Sequence, residues 1–228
     1  MSKGSSTRMK GQGAFKLLIF ISLMAPLLFI AAVFGTRFGL WDLAFGFEVL
    51  TLKIAPVLAV VGLVAALLAL GLGLRQIKTV WPYVAATVVV AAVSMALFQI
   101  MGARYALSGG ADVTTNVNEP PPFTRLIAAE RRGLITVPET CEGLTSVPRQ
   151  VAPETASAAM RQAGFIPVGT AAFRADGYRE SFWFGQVYHV AIRIRPGQTD
   201  VRVAARYPVK AGDQSCQLAK AVVAALQA

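Results

Sequence analysis

The residues of this chain that could carry acid–base chemistry are few, and they do not form a catalytic set. The 228 residues contain one histidine, His189, in a stretch whose alternating pattern predicts a β-strand. Ser181 and Ser215 are the candidate nucleophiles by residue type, and neither lies in a G-x-S-x-G sequence. One histidine and two distant cysteines do not supply a metal site, and there is no glycine-rich phosphate loop. We therefore predict a protein that is not an enzyme and needs no cofactor or metal.

A more distinctive pattern surrounds His189, where basic residues alternate with apolar ones in two consecutive predicted strands. In residues 187–195, alternation places His189 on the same face as the arginines and the isoleucines on the other face. Pro196-Gly197 predicts a turn into a second strand that begins at Asp200. The predicted hairpin pairs Arg195 with Asp200, Arg193 with Arg202 and His189 with Arg206. An arginine opposite an arginine would cost stability.

This basic face has two interpretations. It predicts a site for anions, either lipid head groups or an acidic patch on a partner. The candidate binding residues are His189, Arg193, Arg195, Arg202 and Arg206. The alternative is a solvated face, on which arginine stems cover apolar surface and acids such as Asp200 and Glu180 offset the charge.

Three long apolar runs in the first half of the chain predict a membrane protein. They cover residues 17–35, 54–74 and 79–102, and none contains an ionisable side chain of Asp, Glu, Lys, Arg or His. Each run can cross a hydrocarbon core of about 30 Å as a helix. The mean hydropathy of +0.55, with 55% hydrophobic residues, is too apolar for an ordinary soluble domain. We predict three transmembrane helices within residues 17–102.

Basic residues beside these runs predict the orientation of the chain. They precede the first run and separate the second from the third: Lys3, Arg8, Lys10, Lys16, Arg75 and Lys78. Lys and Arg bias the loops that carry them to the cytoplasm. Residues 1–16 are therefore predicted to be cytoplasmic and residues after 103 to be exported. In a Gram-negative bacterium this is a multi-pass inner-membrane protein with a periplasmic domain, for which nucleic acid is a poor partner.

The cysteines lie in the part of the chain that is predicted to be exported. Cys141 and Cys216 are the two cysteines of the sequence, and disulfides persist outside the reducing cytoplasm. We predict a disulfide between them. The alternative is a pair of buried free thiols.

The exported part begins with a lead-in, residues 103–150, that is rich in Pro, Gly, Thr and Glu. This composition predicts an extended, irregular segment. Its stretch DVTTNVNEPPPFTRL, residues 112–126, is predicted to lead from the third helix into the domain and to pack along the domain's edge. A ligand site in this stretch is the alternative.

Residues 151–228 predict a small α+β domain. A proline at the start and a glycine at the end delimit a helix over residues 153–164. Residues 165–174 predict a strand, and Asp176-Gly177 predicts a hairpin turn. Residues 178–185 are predicted to continue as a strand that residues 187–195 extend, and residues 200–209 are the last of about three antiparallel strands. An apolar stripe predicts a final helix over residues 211–228. The expected fold is an antiparallel sheet with helices on one face.

Three stretches of the exported part resemble a known family, the domain of unknown function 1499. They are DVTTNVNEPPPFTRL, FWFGQVYHVAIRIRP and DVRVAARYPVKAGDQSCQLAKAVVAAL, which together span about residues 112–228. Where that family often carries two aspartates, this chain has Tyr188 and His189. The resemblance implies a fold and an envelope location, and it implies no activity.

These observations predict a non-catalytic, membrane-anchored envelope protein. Because the apolar runs carry no ionisable residue that would mark a transport path, we read them as an anchor or as a surface for the helices of other integral membrane subunits. The predicted function is that of an accessory or assembly subunit of a larger membrane complex. The alternatives are a lipid- or anion-binding protein that uses the basic face, and an enzyme built around His189.

Overall fold

The computed structural model describes residues 6–74, 77–106, 110–131, 136–207 and 212–228. The chain forms two compact units, Met1–Ala103 and Arg104–Ala228. The predicted orientation partly rests on Lys3 and Arg75, which lie outside the described residues, as does the end of the last predicted strand, residues 208–209.

The first unit is helical. It contains α1 (Ser6–Arg37), a π-helix (Phe45–Ile54) that runs directly into α2 (Ala55–Gly73), and α3 (Ile77–Ala106). Among the described residues, three spans are long and apolar enough to cross a membrane: Gly13–Arg37, Phe45–Gly73 and Val80–Ala103. The prediction of three membrane-spanning helices is confirmed to that extent.

The second span begins at Phe45, earlier than the predicted Ile54. The cause is local, because the carboxylate of Asp42 accepts a hydrogen bond from the backbone N–H of Phe45 at 2.7 Å and satisfies one of the free donors at the helix start. Later in the span, Gly62 lets α1 and α2 approach closely. A Cβ added there would lie 3.2 Å from the Cα of Ser22, whose hydroxyl donates to the Gly62 carbonyl oxygen at 3.2 Å.

The second unit is the predicted α+β domain. Its elements are β1 (Asp112–Thr114), α4 (Arg125–Glu130), α5 (Pro153–Gln162), β2 (Ile166–Ala171), β3 (Arg174–Glu180), β4 (Val187–Arg195), β5 (Gln198–Ala205) and α6 (Gln214–Gln227). The strands form one antiparallel sheet in the order β1-β5-β4-β3-β2. The described sheet has five strands instead of about three, because the lead-in contributes β1 and the segment around Asp176 is a full strand.

One face of the sheet packs against α5 and α6. Val190, Ile192 and Val203 from the sheet meet Met160 of α5 and Val222 of α6 in a core from which water is excluded. Burial of these side chains supplies the main driving force for folding. The predicted disulfide between Cys141 and Cys216 is present and ties the lead-in to α6.

The predicted turn at Asp176-Gly177 is wrong. Both residues lie inside β3, and the chain reverses at residues 172–173. The close packing of β2 requires a glycine at this position. A Cβ at Gly177 would lie 2.8 Å from the carbonyl oxygen of Ile166 on β2, next to an irregularity in strand pairing. The predicted continuation of strand into residues 181–186 is also wrong, because β3 ends at Glu180 and a turn follows.

The predicted hairpin register is wrong by two residues. Arg193 lies opposite Asp200, Arg195 opposite Gln198 and His189 opposite Ala204. The turn is the two-residue turn Pro196-Gly197, in which Gly197 has φ of +74°. The costly pairing of Arg193 with Arg202 therefore does not form. Because side chains alternate with a period of two, this shift leaves the arginines and His189 on the same face.

Candidate functional site

The lead-in covers the second face of the sheet. After β1, the chain turns back across the face, where the Glu119 carboxylate pairs with Arg193 at 3.0 Å and with Arg195 at 2.7 Å. The ring of Phe123 lies beneath two guanidinium groups, 4.6 Å from Arg202 and 5.1 Å from Arg131. Residues 112–126 were expected along the edge of the domain. They supply an edge strand and then cover the basic face.

A buried carboxylate, Asp112, neutralises the β1 side of this face. Its side chain is 0% exposed and accepts from Arg202 at 2.7 and 2.8 Å, from Thr136 at 2.7 Å and from Arg131 at 3.3 Å. Burial alone would raise the pKa of Asp112, but the hydrogen bonds from Arg202 and Thr136 and the positive charge of Arg131 lower it below its ordinary value. Asp112 is therefore a charged structural centre.

A second buried carboxylate, Asp200, neutralises the basic face at the β4–β5 hairpin. It accepts from Arg195, Gln198 and Ser146 at 2.7 Å and from Arg193 at 2.9 Å. Burial alone would raise the pKa of Asp200. The hydrogen bonds and the positive charge of Arg193 outweigh the effect of burial, so the pKa is lowered below its ordinary value. The carboxylates of Asp200 and Glu119 thus balance the two arginines of β4.

The structure places all the predicted anion-binding residues on one face, and each lies beside an acid from the same chain. Arg193, Arg195 and Arg202 pair with Glu119, Asp200 or Asp112 as above, and Arg206 lies 3.9 Å from the carboxylate of Glu130. His189 lies 3.4 Å from the same carboxylate. Anion binding by this face stays a prediction, and the charges of these side chains already have partners.

Beside these ion pairs is a cavity of about 400 Å³ between α4 and the strands β2 to β4. Leu126 and Ile127 of α4 form one wall, and Val168 of β2 forms another. Asp176 of β3 and His189 of β4 line its interior. The sequence pattern singled out His189. It did not indicate Asp176, because the Asp-Gly pair predicted a turn.

Asp176 is buried with an incomplete set of partners. Its side chain is 2% exposed, and Oδ2 accepts from Arg174 at 3.0 to 3.1 Å, whereas Oδ1 has no hydrogen-bond partner among the described residues. Burial raises the pKa of Asp176 above its ordinary value, and the opposing effects of Arg174 and of the Thr124 backbone N–H do not cancel the rise. Oδ1 makes no hydrogen bond of good geometry with any described residue, although the Thr124 N–H is close enough to the carboxyl group to lower its pKa.

His189 is buried and electrically neutral near pH 7. Its side chain is 4% exposed, and neither ring nitrogen makes a hydrogen bond within the described part of the chain. Burial lowers the pKa of His189, the nearby Glu130 carboxylate opposes this, and the charges of Arg131 and Arg206 lower it further. A neutral imidazole offers one donor and one acceptor.

The lowered pKa of His189 predicts a loss of stability in mild acid. In the unfolded chain the imidazole takes up a proton near pH 6.5, whereas in the folded domain it does so only at lower pH. The unfolded state therefore binds more protons, and stability falls as the pH drops below about 6.5 until the folded pKa is reached. Thermal unfolding of the full chain in detergent between neutral and mildly acidic pH measures this loss.

The control for this experiment is His189→Gln, which cannot titrate. The variant removes the histidine contribution and keeps that of every other group, including Asp176, so the difference between the two pH profiles isolates His189. We expect the melting temperature of the wild type to fall more steeply with acidification than that of the variant. Parallel profiles would show that His189 is not held neutral by burial.

No family model, no curated protein and no solved structure matches this chain. The resemblance to the domain of unknown function 1499 stays a prediction.

Proposed function

We propose that this protein is a non-catalytic, membrane-anchored envelope protein that acts as an accessory or assembly subunit of a larger membrane complex, with its α+β domain on the periplasmic side of the inner membrane. The observation that carries this proposal is an exposed aromatic pair on the domain. Phe182 and Trp183 are 80% and 56% exposed, and their rings meet edge to face at 5.3 Å. Exposed aromatic side chains of this size are typical anchors of protein–protein interfaces.

The loop that carries the pair, residues 181–186, is held in one shape. Gln186 donates from its side chain to the carbonyl oxygen of Tyr207 at 2.9 Å, and the Ser181 N–H donates to the carbonyl oxygen of Gln186 at 2.7 Å. Phe184, next to the pair, is buried. A loop that is ordered before binding loses less entropy when a partner docks, so this loop suits a protein interface.

The composition of the loop itself favours a protein partner over the bilayer. Residues 180–187 read ESFWFGQV, with one acid and no lysine or arginine. Segments that lie on membranes combine aromatic residues with basic ones, which attract anionic lipids. We infer that the partner is an apolar pocket on the exported surface of another integral membrane subunit.

The alternative function, lipid or anion binding by the arginine face, has less support. An anion would have to displace Glu119 from Arg193 and Arg195, or Asp112 from Arg202. Asp112 is buried, and breaking its ion pairs would leave uncompensated charge. The observed contacts favour a structural role for this face.

Replacing Phe182 and Trp183 together with serine is expected to detach the protein from its complex. Interface anchors of this kind contribute about 2 kcal/mol or more each, whereas exposed side chains contribute about 0.5 kcal/mol or less to folding. Native electrophoresis of gently solubilised source membranes, with mass spectrometry of the band, measures the association. We expect the wild type in a large assembly, and the double variant alone with an unchanged melting temperature.

The matched control is Phe173→Ser, which removes a 71% exposed aromatic side chain from the β2–β3 turn. It should leave the protein in the assembly. A wild type that migrates alone would refute the role as a subunit. A double variant that stays in the assembly would refute the aromatic pair as its anchor.

A further inference from the structure

The cavity between α4 and the sheet has features of a ligand site that the proposed function does not use. At about 400 Å³ it is within the size range of small-molecule pockets. Its wall on the α4 side is aliphatic, from Leu126 and Ile127, and the facing wall includes Val168 and Val187. Such walls suit the apolar part of a small organic molecule.

Two buried polar groups in this cavity lack partners. Oδ1 of Asp176 and both ring nitrogens of His189 are buried without a hydrogen bond to any residue that the structure describes. Most buried polar atoms in native proteins are paired. The strands β3 and β4 hold the two residues near each other, since Asp176 lies opposite Ala191 and Tyr178 lies opposite His189. A ligand that donates hydrogen bonds would satisfy Oδ1 of Asp176 and the acceptor nitrogen of His189.

The charge of the cavity selects the sign of that ligand. Among the described residues that line the cavity, three are acids, Glu130, Asp176 and Glu180, and one is a base, Arg206. His189 is neutral near pH 7 and adds no charge. Two of these acids have arginine partners, since Asp176 pairs with Arg174 at 3.0 Å and Glu130 lies 3.9 Å from Arg206. Tyr178 also lines the cavity, and aromatic faces attract cations. The preference for a positively charged group therefore rests on Oδ1 of Asp176 and on Tyr178.

We propose that this cavity binds a small organic amine, with its ammonium group donating to Oδ1 of Asp176 and to His189 and its apolar part between α4 and β2. The ammonium supplies a hydrogen-bond donor to Oδ1 of Asp176 and to the acceptor nitrogen of His189. The raised pKa of Asp176 agrees with this arrangement, because a bound cation would stabilise the charged carboxylate that burial disfavours. The lining residues all belong to this chain, so binding does not require the complex, although Glu180 and Val187 flank the loop that carries the aromatic pair.

The experiment is calorimetric titration of the full chain in detergent with phenethylamine, against matched empty micelles. Phenethyl alcohol has the same apolar part without the charge, and hydrocinnamate reverses the charge. We expect the amine to bind at millimolar or lower concentration. The alcohol should bind at least about tenfold more weakly than the amine, and the anion should not bind. No binding of the amine, or equal binding of the amine and the alcohol, would overturn the proposal.

Two variants locate the site. Asp176→Asn removes the charged acceptor and should weaken binding of phenethylamine by about tenfold or more, whereas Glu142→Gln, at an exposed acid outside the cavity, should not change it. Val168→Trp tests the site without a change of a buried residue, because Val168 is 61% exposed. The larger side chain should fill the cavity and abolish binding. Unchanged affinity in a folded Asp176→Asn or Val168→Trp variant would refute the site.

Discussion

Replacing Asp112 with asparagine is expected to lower the free energy of unfolding of the domain by about 3–5 kcal/mol. The carboxylate is fully buried, and it is the acid that joins β1 to Arg202 of β5 and to Arg131 after α4. Asparagine keeps the shape of the side chain and removes its charge. Two guanidinium groups, with side chains 7% and 14% exposed, would then be buried without a counter-charge.

The matched control is Glu119→Gln, on the same face of the sheet. Glu119 also pairs with two arginines, but its side chain is 64% exposed. Exposed ion pairs contribute about 0–1 kcal/mol because water and salt screen them. Urea unfolding of the full chain in detergent, followed by tryptophan fluorescence, measures both variants. If the two variants lost equal free energy of unfolding, the buried ion pairs of Asp112 would contribute no more to stability than the exposed ion pairs of Glu119.

The contribution of Asp112 to stability should also be lost in acid. Because the pKa of Asp112 is lowered in the folded domain, its contribution to stability is complete above the unfolded pKa of about 3.9 and is lost as the pH falls through the folded pKa. The asparagine variant lacks that group, so its stability should depend less on pH below about 3.9 than that of the wild type.

The faces of the sheet were predictable from the sequence, whereas the register was not. Alternation along residues 187–195 correctly places His189 and the arginines on one side and the isoleucines in the core. The register depends on how many residues form the turn, and the observed turn is confined to Pro196-Gly197. A shift by two residues keeps every side chain on its face but changes its partner. The partner decides whether a pair stabilises the sheet. Arg193 faces the opposite charge of Asp200 instead of the like charge of Arg202.

The carboxylates that neutralise the basic face could not be paired with it from periodicity. Asp112 and Arg202 are separated by 90 residues, and local patterns carry no information on such contacts. A signal did exist in the composition of the lead-in, which holds Asp112, Glu119 and Phe123 within a short polar stretch. Acids and an aromatic ring are the complement of a face rich in arginine.

The cavity was missed for a related reason. Asp-Gly is a strong local signal for a turn, but at residues 176–177 tertiary packing decides the conformation. The carbonyl oxygen of Ile166 approaches too closely for any side chain at Gly177, and Asp176 points to the other side of the sheet, into the cavity. A glycine inside a strand indicates a close backbone approach as often as a turn.

Replacing Cys141 and Cys216 together with serine is expected to destabilise the domain by about 4–5 kcal/mol on the loop-entropy estimate. The disulfide closes a separation of 75 residues, within which lie α5 and the strands β2 to β5. Its removal gives the unfolded chain many more conformations and leaves most native contacts in place. Cys216 is 7% exposed in the core, so the loss of packing on substitution by serine adds to the effect.

A reductant separates the disulfide from these side-chain effects. Wild-type protein unfolded in urea with a reductant should lose most of the stability that the double variant lacks, and the double variant itself should not respond to the reductant. The same bond bears on the location of the domain, because disulfides persist outside the cytoplasm. Wild-type protein isolated from membranes should therefore not react with a thiol reagent until it is reduced. Immediate reaction would show free thiols, and it would remove the support that the cysteines give to an exported domain.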